Sequence, residues 1–331
     1  MNLQDWATAK IAAQRSSAAA DPQLGMDPDD LDLDLCNTVA DRIQNVFGDD
    51  GYFDLSADGW EHFPPEPSLI VSNHSGGTII PDVWGLMVAW HRHFKDERIC
   101  HALAHDLVFT VPPIGRLMSK LGVLRAQKDN AYKVLTEYKR DVFVCPGGDK
   151  DVWRPWSERN KVCFSGRKGY IKLALKAGVP IIPMANVGPH ETLMVLTDGQ
   201  RLARALRFQE IFRAEVFPIH LSLPWGVGIG PLPHIPLPTK LSYRFGPPIY
   251  APEGWEAGSE PPQALVDEMD ERVRTEIQKL LDQLAAERPA PSERIRHVAR
   301  TVLRRVAPPP QLRKETLAKR AMRAAFTSQT H

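Results

Sequence analysis

The chain has 331 residues, of which 43% are hydrophobic and 24% are charged, and its formal net charge is +1. This length and apolar content suffice for a buried core, and the near-neutral charge excludes a global field that would attract nucleic acid. The four cysteines form no CxxC pair and the first residues lack a signal-peptide pattern, so we expect a cytoplasmic protein. No run of about 18 to 20 apolar residues occurs, so any membrane contact is expected to be peripheral.

The first 50 residues are predicted to form an arm and one amphipathic helix. Residues 1–30 are polar and acidic, which indicates a short helix followed by a mobile arm. Apolar residues recur at helical spacing from Leu31 to Val46, and a short strand is expected at residues 52–55.

Residues 51–260 alternate between strand-like runs and segments with helical periodicity. This alternation predicts an α/β domain with a mostly parallel twisted sheet flanked by helices. The predicted strands of this domain are residues 68–73, 98–104, 122–126, 142–146, 180–187 and 241–246.

Residues 261–331 are predicted to add C-terminal helices with a basic tail. An apolar stripe runs from Leu265 to Leu284, and two further helices are expected at residues 292–306 and 311–326. These two helices carry ten arginines and lysines against two glutamates. Such a tail fits an anionic membrane surface, and equally a solvated face of helices packed on the body.

A histidine turn follows the first predicted strand of the α/β domain. His74 lies directly after the apolar run that ends at Ser72, and Gly76 and Gly77 let another molecule approach the backbone. A histidine that acts as general base needs a partner for its charged form, and Asp82 is the nearest downstream carboxylate. A histidine that is simply hydrogen-bonded within a turn is the alternative.

Three later segments carry groups suited to anionic ligands. Arg125 ends a predicted strand and can clamp a phosphate or carboxylate, unless it pairs with Asp129 at the surface. The turn Pro146-Gly147-Gly148 can donate backbone N–H groups to an oxyanion, or can be a plain turn. Arg167 and Lys168 lie where a helix begins, which combines side-chain charge with the helix dipole.

A group of metal-ligand residue types lies between residues 91 and 105, which makes a metal-dependent hydrolase a rival hypothesis. A strand across residues 100–104 would scatter these side chains, and no known zinc spacing is met, so we expect no metal site. The group consists of His91, His93, Cys100, His101 and His105.

The order of these segments resembles the glycerolipid acyltransferase superfamily, which includes the bacterial lysophosphatidic acid acyltransferases. The likeness covers about residues 50–250 and rests on the Asn73-His74 turn, the Gly122–Arg125 strand, Pro146-Gly147-Gly148 and the run Val179-Pro180-Ile181-Ile182-Pro183. Residues 167–188, with the preceding Pro-Gly-Gly, are especially similar to the diacylglycerol and monoacylglycerol acyltransferase branch. The resemblance implies a glycerol-3-phosphate acyltransferase-like fold.

The resemblance also implies roles for individual residues. His74 would take the proton of an acceptor hydroxyl that attacks the thioester of acyl-CoA or an acyl carrier protein, with Asp82 as its partner. Arg125 would bind the acceptor. The expected partners are therefore the acyl thioester donor, a lipid acceptor and an anionic membrane surface at the inner face of the cell membrane, with no further cofactor.

Two departures from the family pattern keep alternatives open. Seven residues separate His74 from Asp82 where the family has four, which makes a non-catalytic lipid-binding protein a second rival. Gly147 replaces the family's glutamate, which keeps a neutral glyceride acceptor open beside a lysophospholipid. The apolar segment 218–238 is interpreted as a loop that lines an acyl channel, touches lipid or packs on the surface.

Overall fold

Seven strands form the central sheet in the computed structural model, which describes residues 22–48, 51–205, 215–232, 234–289 and 293. Their spatial order is β1-β10-β6-β2-β5-β3-β4, and strands β7, β8 and β9 form a second, smaller sheet. The strands are β1 Asp54–Asp58, β2 Leu69–Ser72, β3 Cys100–Ala104, β4 Val123–Arg125, β5 Asp141–Val144, β6 Ile181–Val187, β7 Met194–Thr197, β8 Ile219–Ser222, β9 Gly226–Ile229 and β10 Lys240–Phe245.

The central sheet is mostly parallel, as predicted. Neighbouring strands from β6 through β2, β5 and β3 to β4 pair in parallel, whereas β10 is antiparallel to β6 and parallel to β1. Leu69, Ile70 and Val71 of β2 are completely buried, because helices cover both faces of a parallel sheet. The carboxyl ends of β2, β5 and β6 therefore meet at one edge, where the His74 turn begins.

Helices lie on both faces of the sheet and define two apolar clusters. One cluster joins Val134, Ile171 and Ile277 on one face, and the other joins Leu86 to Phe245 on the opposite face. The predicted stripe near the C-terminus forms a long helix whose apolar residues pack in the first cluster. The helices are α1 Leu33–Ile43, α2 Pro81–Phe94, α3 Pro112–Lys120, α4 Lys128–Thr136, α5 Gly148–Val152, α6 Gly169–Ala177, α7 Gln200–Ala205 and α8 Gln263–Ala286. None of these described helices is long and apolar enough to cross a bilayer.

The described part of the N-terminal arm corrects one expectation. Residues 22–30 were expected to be mobile, but Leu24 is buried and the Gly25 carbonyl accepts a hydrogen bond from the Arg125 backbone N–H at 2.8 Å. The two basic tail helices, residues 292–306 and 311–326, lie outside the described residues except for Glu293. The chain divides into compact units at residues 1–288 and 289–331, and the domain boundaries at 50 and 260 stay predictions.

The small sheet was missed by the sequence analysis, which interpreted residues 218–238 as a loop. Its strands β8 and β9 contain four residues each and are flanked by prolines and glycines, which are the residues typical of turns. The strand predicted at 52–55 is found at Asp54–Asp58, so its bounds are shifted. Both differences concern short strands, for which period-two patterns extend over too few residues to be decisive.

The buried His101 of β3 predicts a pH-dependent loss of stability. Its Nδ1 lies 3.1 Å from the Gly122 carbonyl oxygen and its Nε2 lies 3.3 Å from the Arg140 guanidinium. Burial, and then Arg140, lower the pKa of His101 from 6.5 to about 4. Because the unfolded chain binds this proton more readily, the free energy of unfolding is expected to fall by about 3 kcal/mol from this group as the pH drops from 6.5 to 4.

Urea unfolding of the wild type and of His101→Asn between pH 7 and 4 measures this effect. The asparagine amide can still donate to the Gly122 carbonyl but does not titrate, so the variant is expected to lose less stability than the wild type. Other buried histidines, such as His190, contribute equally to both proteins. An equally steep loss in the two proteins would contradict the assignment to His101.

Candidate active site

His74 and Asp82 form a close pair despite the seven residues between them. The Nδ1 atom of His74 lies 2.6 Å from Oδ2 of Asp82, and the Asp82 side chain is almost fully buried. The same oxygen accepts the Ser75 backbone N–H at 2.9 Å, and Oδ1 accepts the Val83 N–H at 2.9 Å. With Nδ1 donating to the carboxylate, Nε2 carries the lone pair that a general base requires.

A compact turn removes the extra length between the two side chains. Gly77–Ile79 form one 3-10 turn, and Gly76, Gly77 and Ile80 have positive φ angles of 103°, 66° and 43°. Pro81 then begins α2, so that Asp82 lies in the first helical turn, where the helix dipole stabilises a carboxylate. The turn therefore folds the longer segment back on itself and preserves the histidine–carboxylate contact.

Buried amides hold the strand ends on which His74 is mounted. Asn73 accepts the Asn186 backbone N–H at 2.9 Å and donates to the Asn186 carbonyl at 3.0 Å. The Asn186 amide in turn donates to the Asn73 carbonyl at 2.7 Å and to the Ser72 hydroxyl at 3.2 Å. These bonds join β2 to β6 and fix the position at which the turn leaves the sheet.

A second carboxylate holds the backbone of His74. The His74 N–H donates to Oδ2 of Asp151 at 2.6 Å, and the other oxygen of Asp151 pairs with the Arg154 guanidinium. Asp151 and Arg154 are 0% and 1% exposed. Burial lowers the pKa of Arg154 to about 10, so the guanidinium stays charged at neutral pH and compensates the buried carboxylate. The Asp151–Arg154 pair was not predicted from the sequence, although Asp151 lies one helical turn after the predicted Pro-Gly-Gly turn.

The contact with Asp151 explains the glycine at position 147. A Cβ atom built on Gly147 would overlap the Cβ of Asp151 and the Cys163 carbonyl oxygen, and would lie 2.8 Å from Cγ of Asp151. The side chain of Asp151, which α5 supplies from four residues downstream, thus occupies the space that a residue-147 side chain would need. A glutamate cannot be accommodated at position 147 unless Asp151 and the Cys163 backbone move.

His190 is a buried neighbour of this network that the sequence analysis also missed. It is 6% exposed, and its Nε2 has no hydrogen-bond partner among the described residues. Burial, followed by the Arg154 charge, holds the pKa of His190 well below its usual value, with His74 contributing in the same direction. The ring is therefore neutral at physiological pH and adds no positive charge beside His74.

Arg125 lies at the expected strand end but is bound to protein groups. Its Nε donates to the Leu24 carbonyl at 2.8 Å, a terminal nitrogen lies 3.3 Å from Asp106, and the guanidinium stacks 5.0 Å from the Phe109 ring centroid. The alternative pairing with Asp129 is not the one found. Strands β5 and β3 separate β4 from β2, which corresponds to about 14 Å between the strand ends.

The basic residues before α6 also have protein partners. Arg167 donates to the Gly147 carbonyl at 3.0 Å and to Asp149 at 3.2 Å, so it stabilises the Pro146–Gly148 turn beside the Asp151 carboxylate. Lys168 points to α8, where it lies 2.8 Å from Asp267. The structure thus brings Pro146, Gly147, Gly148 and Arg167 together next to the His74 turn, but separates Lys168 and Arg125 from it. Their predicted binding roles stay predictions.

The histidines considered as metal ligands contact different parts of the protein. His93 stacks on Trp60 at 4.4 Å, His91 lies 3.7 Å from Asp41, and His101 is buried against Gly122. Within the described residues, no three histidine, cysteine, aspartate or glutamate side chains are placed to hold a metal ion.

Fold and site together define an α/β protein with a histidine–carboxylate pair at the carboxyl edge of a parallel sheet. Residues 55–187 match the family described as Acyltransferase. An uncharacterized protein of Mycobacterium tuberculosis is 31% identical over 239 residues, which are 72% of this chain and 63% of that protein. The chain thus spans just under two thirds of the mycobacterial relative. Residues 55–187 therefore form an acyltransferase-like domain.

Two further similar proteins carry names that state an activity. A bovine protein named "DGAT1/2-independent enzyme synthesizing storage lipids" is 28% identical over 225 residues, which are 68% of this chain and 58% of that protein. The crystal structure of the 1-acyl-sn-glycerophosphate (LPA) acyltransferase PlsC from Thermotoga maritima superposes with a TM-score of 0.47 at 17% identity, over 78% of this chain and 81% of that chain.

Proposed function

We propose that this protein transfers a fatty acyl group from a thioester donor, acyl-CoA or acyl carrier protein, to the hydroxyl of a glycerolipid, with His74 as general base. The observation that carries the proposal is the 2.6 Å contact between His74 and the buried Asp82 at the carboxyl edge of the sheet. The match of residues 55–187 to the Acyltransferase family supports acyl transfer as the reaction.

The chemistry follows from the orientation of the imidazole. Nε2 of His74 removes the proton of the acceptor hydroxyl while its oxygen attacks the thioester carbonyl carbon. The resulting imidazolium is stabilised by Asp82, which keeps Nδ1–H directed at the carboxylate. The tetrahedral intermediate then expels the thiolate, which takes the proton from Nε2, so that the products are the acyl ester and the free thiol.

Two observations favour a neutral glyceride over a lysophospholipid as acceptor. Arg125, the cation that would clamp a phosphate, is engaged by Leu24, Asp106 and Phe109, and its side chain is only 14% exposed. Gly147 occupies the position where the family has a glutamate, and the neighbouring carboxylate of Asp151 is committed to Arg154. A relative whose name refers to storage lipids is consistent with a neutral acceptor.

The proposed setting is the inner face of the cell membrane, with the protein peripheral to it. The proposed partners are the acyl thioester, the lipid acceptor and anionic lipids that would attract the basic tail of residues 292–331. A non-catalytic lipid-binding role on the same fold is disfavoured by the intact His74–Asp82 geometry.

An acceptor panel tests the function. The purified full chain is incubated with labelled long-chain acyl-CoA or acyl carrier protein and, separately, with monoacylglycerol, diacylglycerol, lysophosphatidate and a fatty alcohol. We expect ester formation with a neutral glyceride, and weaker or no transfer to lysophosphatidate, because the Arg125 guanidinium is already paired. A clear preference for lysophosphatidate would refute the acceptor assignment, and no transfer to any acceptor from either donor would refute the enzymatic function.

A further inference from the structure

The small sheet has one buried face and one exposed apolar face. Across its strands, Val195 pairs with His220 and both are buried, whereas Met194, Leu221 and Val227 form the adjacent row. Because side chains alternate between the two faces of a strand, this second row points away from the body. Val227 is 62% exposed and Leu221 is 40% exposed.

The exposed row continues around the β8–β9 hairpin and into the segment that follows. Six large apolar side chains there are between 40 and 62% exposed, and we call them the outer face. They are Leu221, Leu223, Trp225, Val227, Ile229 and Ile235. Scattered single apolar residues are normal on a protein surface, but a contiguous group of this kind marks a contact with something apolar.

The segment that forms this face carries no ionisable residue other than histidine. Residues 216–239 are 24 consecutive positions without aspartate, glutamate, lysine or arginine. With 24% of the chain charged, a stretch of this length would ordinarily carry about six such residues. Protein interfaces have a polar and charged rim with regular hydrogen bonds, whereas a lipid surface selects for the absence of charge and for an indole at the interface.

Two exposed cations lie on the helix that follows the first strand of the small sheet. Helix α7 follows β7, and the Phe217 N–H, just before β8, donates to the carbonyl of Asp198, two residues before α7, at 2.9 Å. Arg201 and Arg204 on this helix are both exposed. An apolar face on a sheet that is followed by exposed arginines is complementary to a layer in which acyl chains lie beneath anionic head groups.

The segment that follows β9 contacts the His74 turn directly. The Thr78 hydroxyl, within that turn, donates to the Pro231 carbonyl at 3.1 Å. A Cβ built on Gly77 would lie 3.0 Å from the His234 ring and 2.9 Å from Leu193, so the segment after β9 packs on the turn. The outer face and the His74 turn are therefore linked through Pro231 and His234.

We infer that the outer face of the small sheet is the surface by which this protein docks on a lipid layer that holds its acceptor, an inference that rests on the proposed function. The contact is made by side chains and not by insertion of the strands, because the open edges of β7 and β9 would leave backbone groups unsatisfied in hydrocarbon. The three-stranded sheet thus serves as a docking platform that places the His74 turn near the layer.

The test compares a docking variant with a matched apolar variant, both built on His74→Ala so that no turnover occurs. The docking variant is Leu221→Thr, Trp225→Ser and Val227→Thr, since threonine keeps the strand preference at two of the positions. The matched variant is Ile114→Gln and Leu117→Gln, which removes exposed apolar side chains from α3. Flotation with vesicles of phosphatidylcholine, with and without phosphatidylglycerol, measures the fraction of each variant that is bound. Circular dichroism spectra that match those of the parent protein establish that both variants are folded.

Vesicle affinity is expected to fall at least about tenfold in the docking variant and to stay within about twofold in the α3 variant. Unchanged binding of the docking variant, or loss in the α3 variant alone, overturns the inference. So does a dimer in sedimentation equilibrium that the docking substitutions dissociate, because the face would then bind a second copy. When the docking substitutions are introduced into the protein that retains His74, acyl transfer to a short-chain, water-soluble glyceride is expected to stay normal. Only the rate on vesicle-borne acceptor is expected to fall. Failure of acyl transfer with every acceptor would refute the proposed function and would leave the binding result intact.

Discussion

Replacement of His74 by alanine is expected to lower kcat/KM for acyl transfer by about 10³-fold or more, because it removes the only ring nitrogen held at the carboxyl edge by a buried carboxylate in the described site. Replacement of Asp82 by asparagine is expected to lower it by at least about 10²-fold. An asparagine that donates to Nδ1 would leave the proton on Nε2, and this tautomer cannot accept the proton of the acceptor.

Steady-state rates with the acceptor found in the panel measure both effects. His62→Ala is a suitable control, since His62 is a partly exposed histidine whose Nε2 lies 3.9 Å from the neighbouring Glu61. Partial recovery of the His74→Ala rate by added imidazole would identify the missing group as the base. Undiminished turnover in His74→Ala, with an intact fold, would mean that another residue carries the chemistry.

Replacement of Asp151 by asparagine is expected to reduce both stability and rate. The buried Arg154 would lose its counter-charge, which typically costs about 3–5 kcal/mol, and the His74 backbone would lose a charged acceptor. A displacement of His74 by about 1 Å can lower kcat about 10²-fold, with little change in KM. Asp151 acts through His74 and is therefore a positioning residue.

Two further variants separate positioning from simple destabilisation. Asp151→Asn combined with Arg154→Gln removes the unpaired charge, so its unfolding free energy is expected to exceed that of Asp151→Asn alone. Gly147→Ala keeps both charges but forces Asp151 or the Cys163 backbone to move, so we expect a reduced kcat here as well. The matched control is Gly169→Ala, where the new Cβ meets only Lys128 at 4.0 Å. Normal kcat in Gly147→Ala would contradict the positioning role.

Much of the fold was predictable because local patterns record burial. The apolar runs around Ile70 and Ile182 have no polar alternation, which is typical of strands covered on both faces, and the segments between them have helical periodicity. The helical stripe from Leu265 to Leu284 likewise predicted α8. The small sheet was not predictable, since its short strands are rich in the residues that usually break strands.

The candidate site also has features that the sequence predicts and features that it does not. His74 was identified from its place after a buried strand, and Asp82 from proximity in sequence, but the contact between them depends on the left-handed conformations of Gly76, Gly77 and Ile80. Arg125 was predicted to bind a ligand because the contact of its guanidinium with the Leu24 carbonyl, in the N-terminal arm, could not be inferred from the sequence.

The sequence alone determined the order of strands and helices, the turn that carries His74 and the glycines at which backbones approach closely. These features depend on periodicity and on residues within a few positions of one another. Only the tertiary structure decided that Asp151 holds the His74 backbone, that Gly147 leaves room for this carboxylate and that strands β8 and β9 present an apolar face. Each of these depends on side chains that meet through packing of segments distant in sequence, and local patterns carry no record of which segments meet.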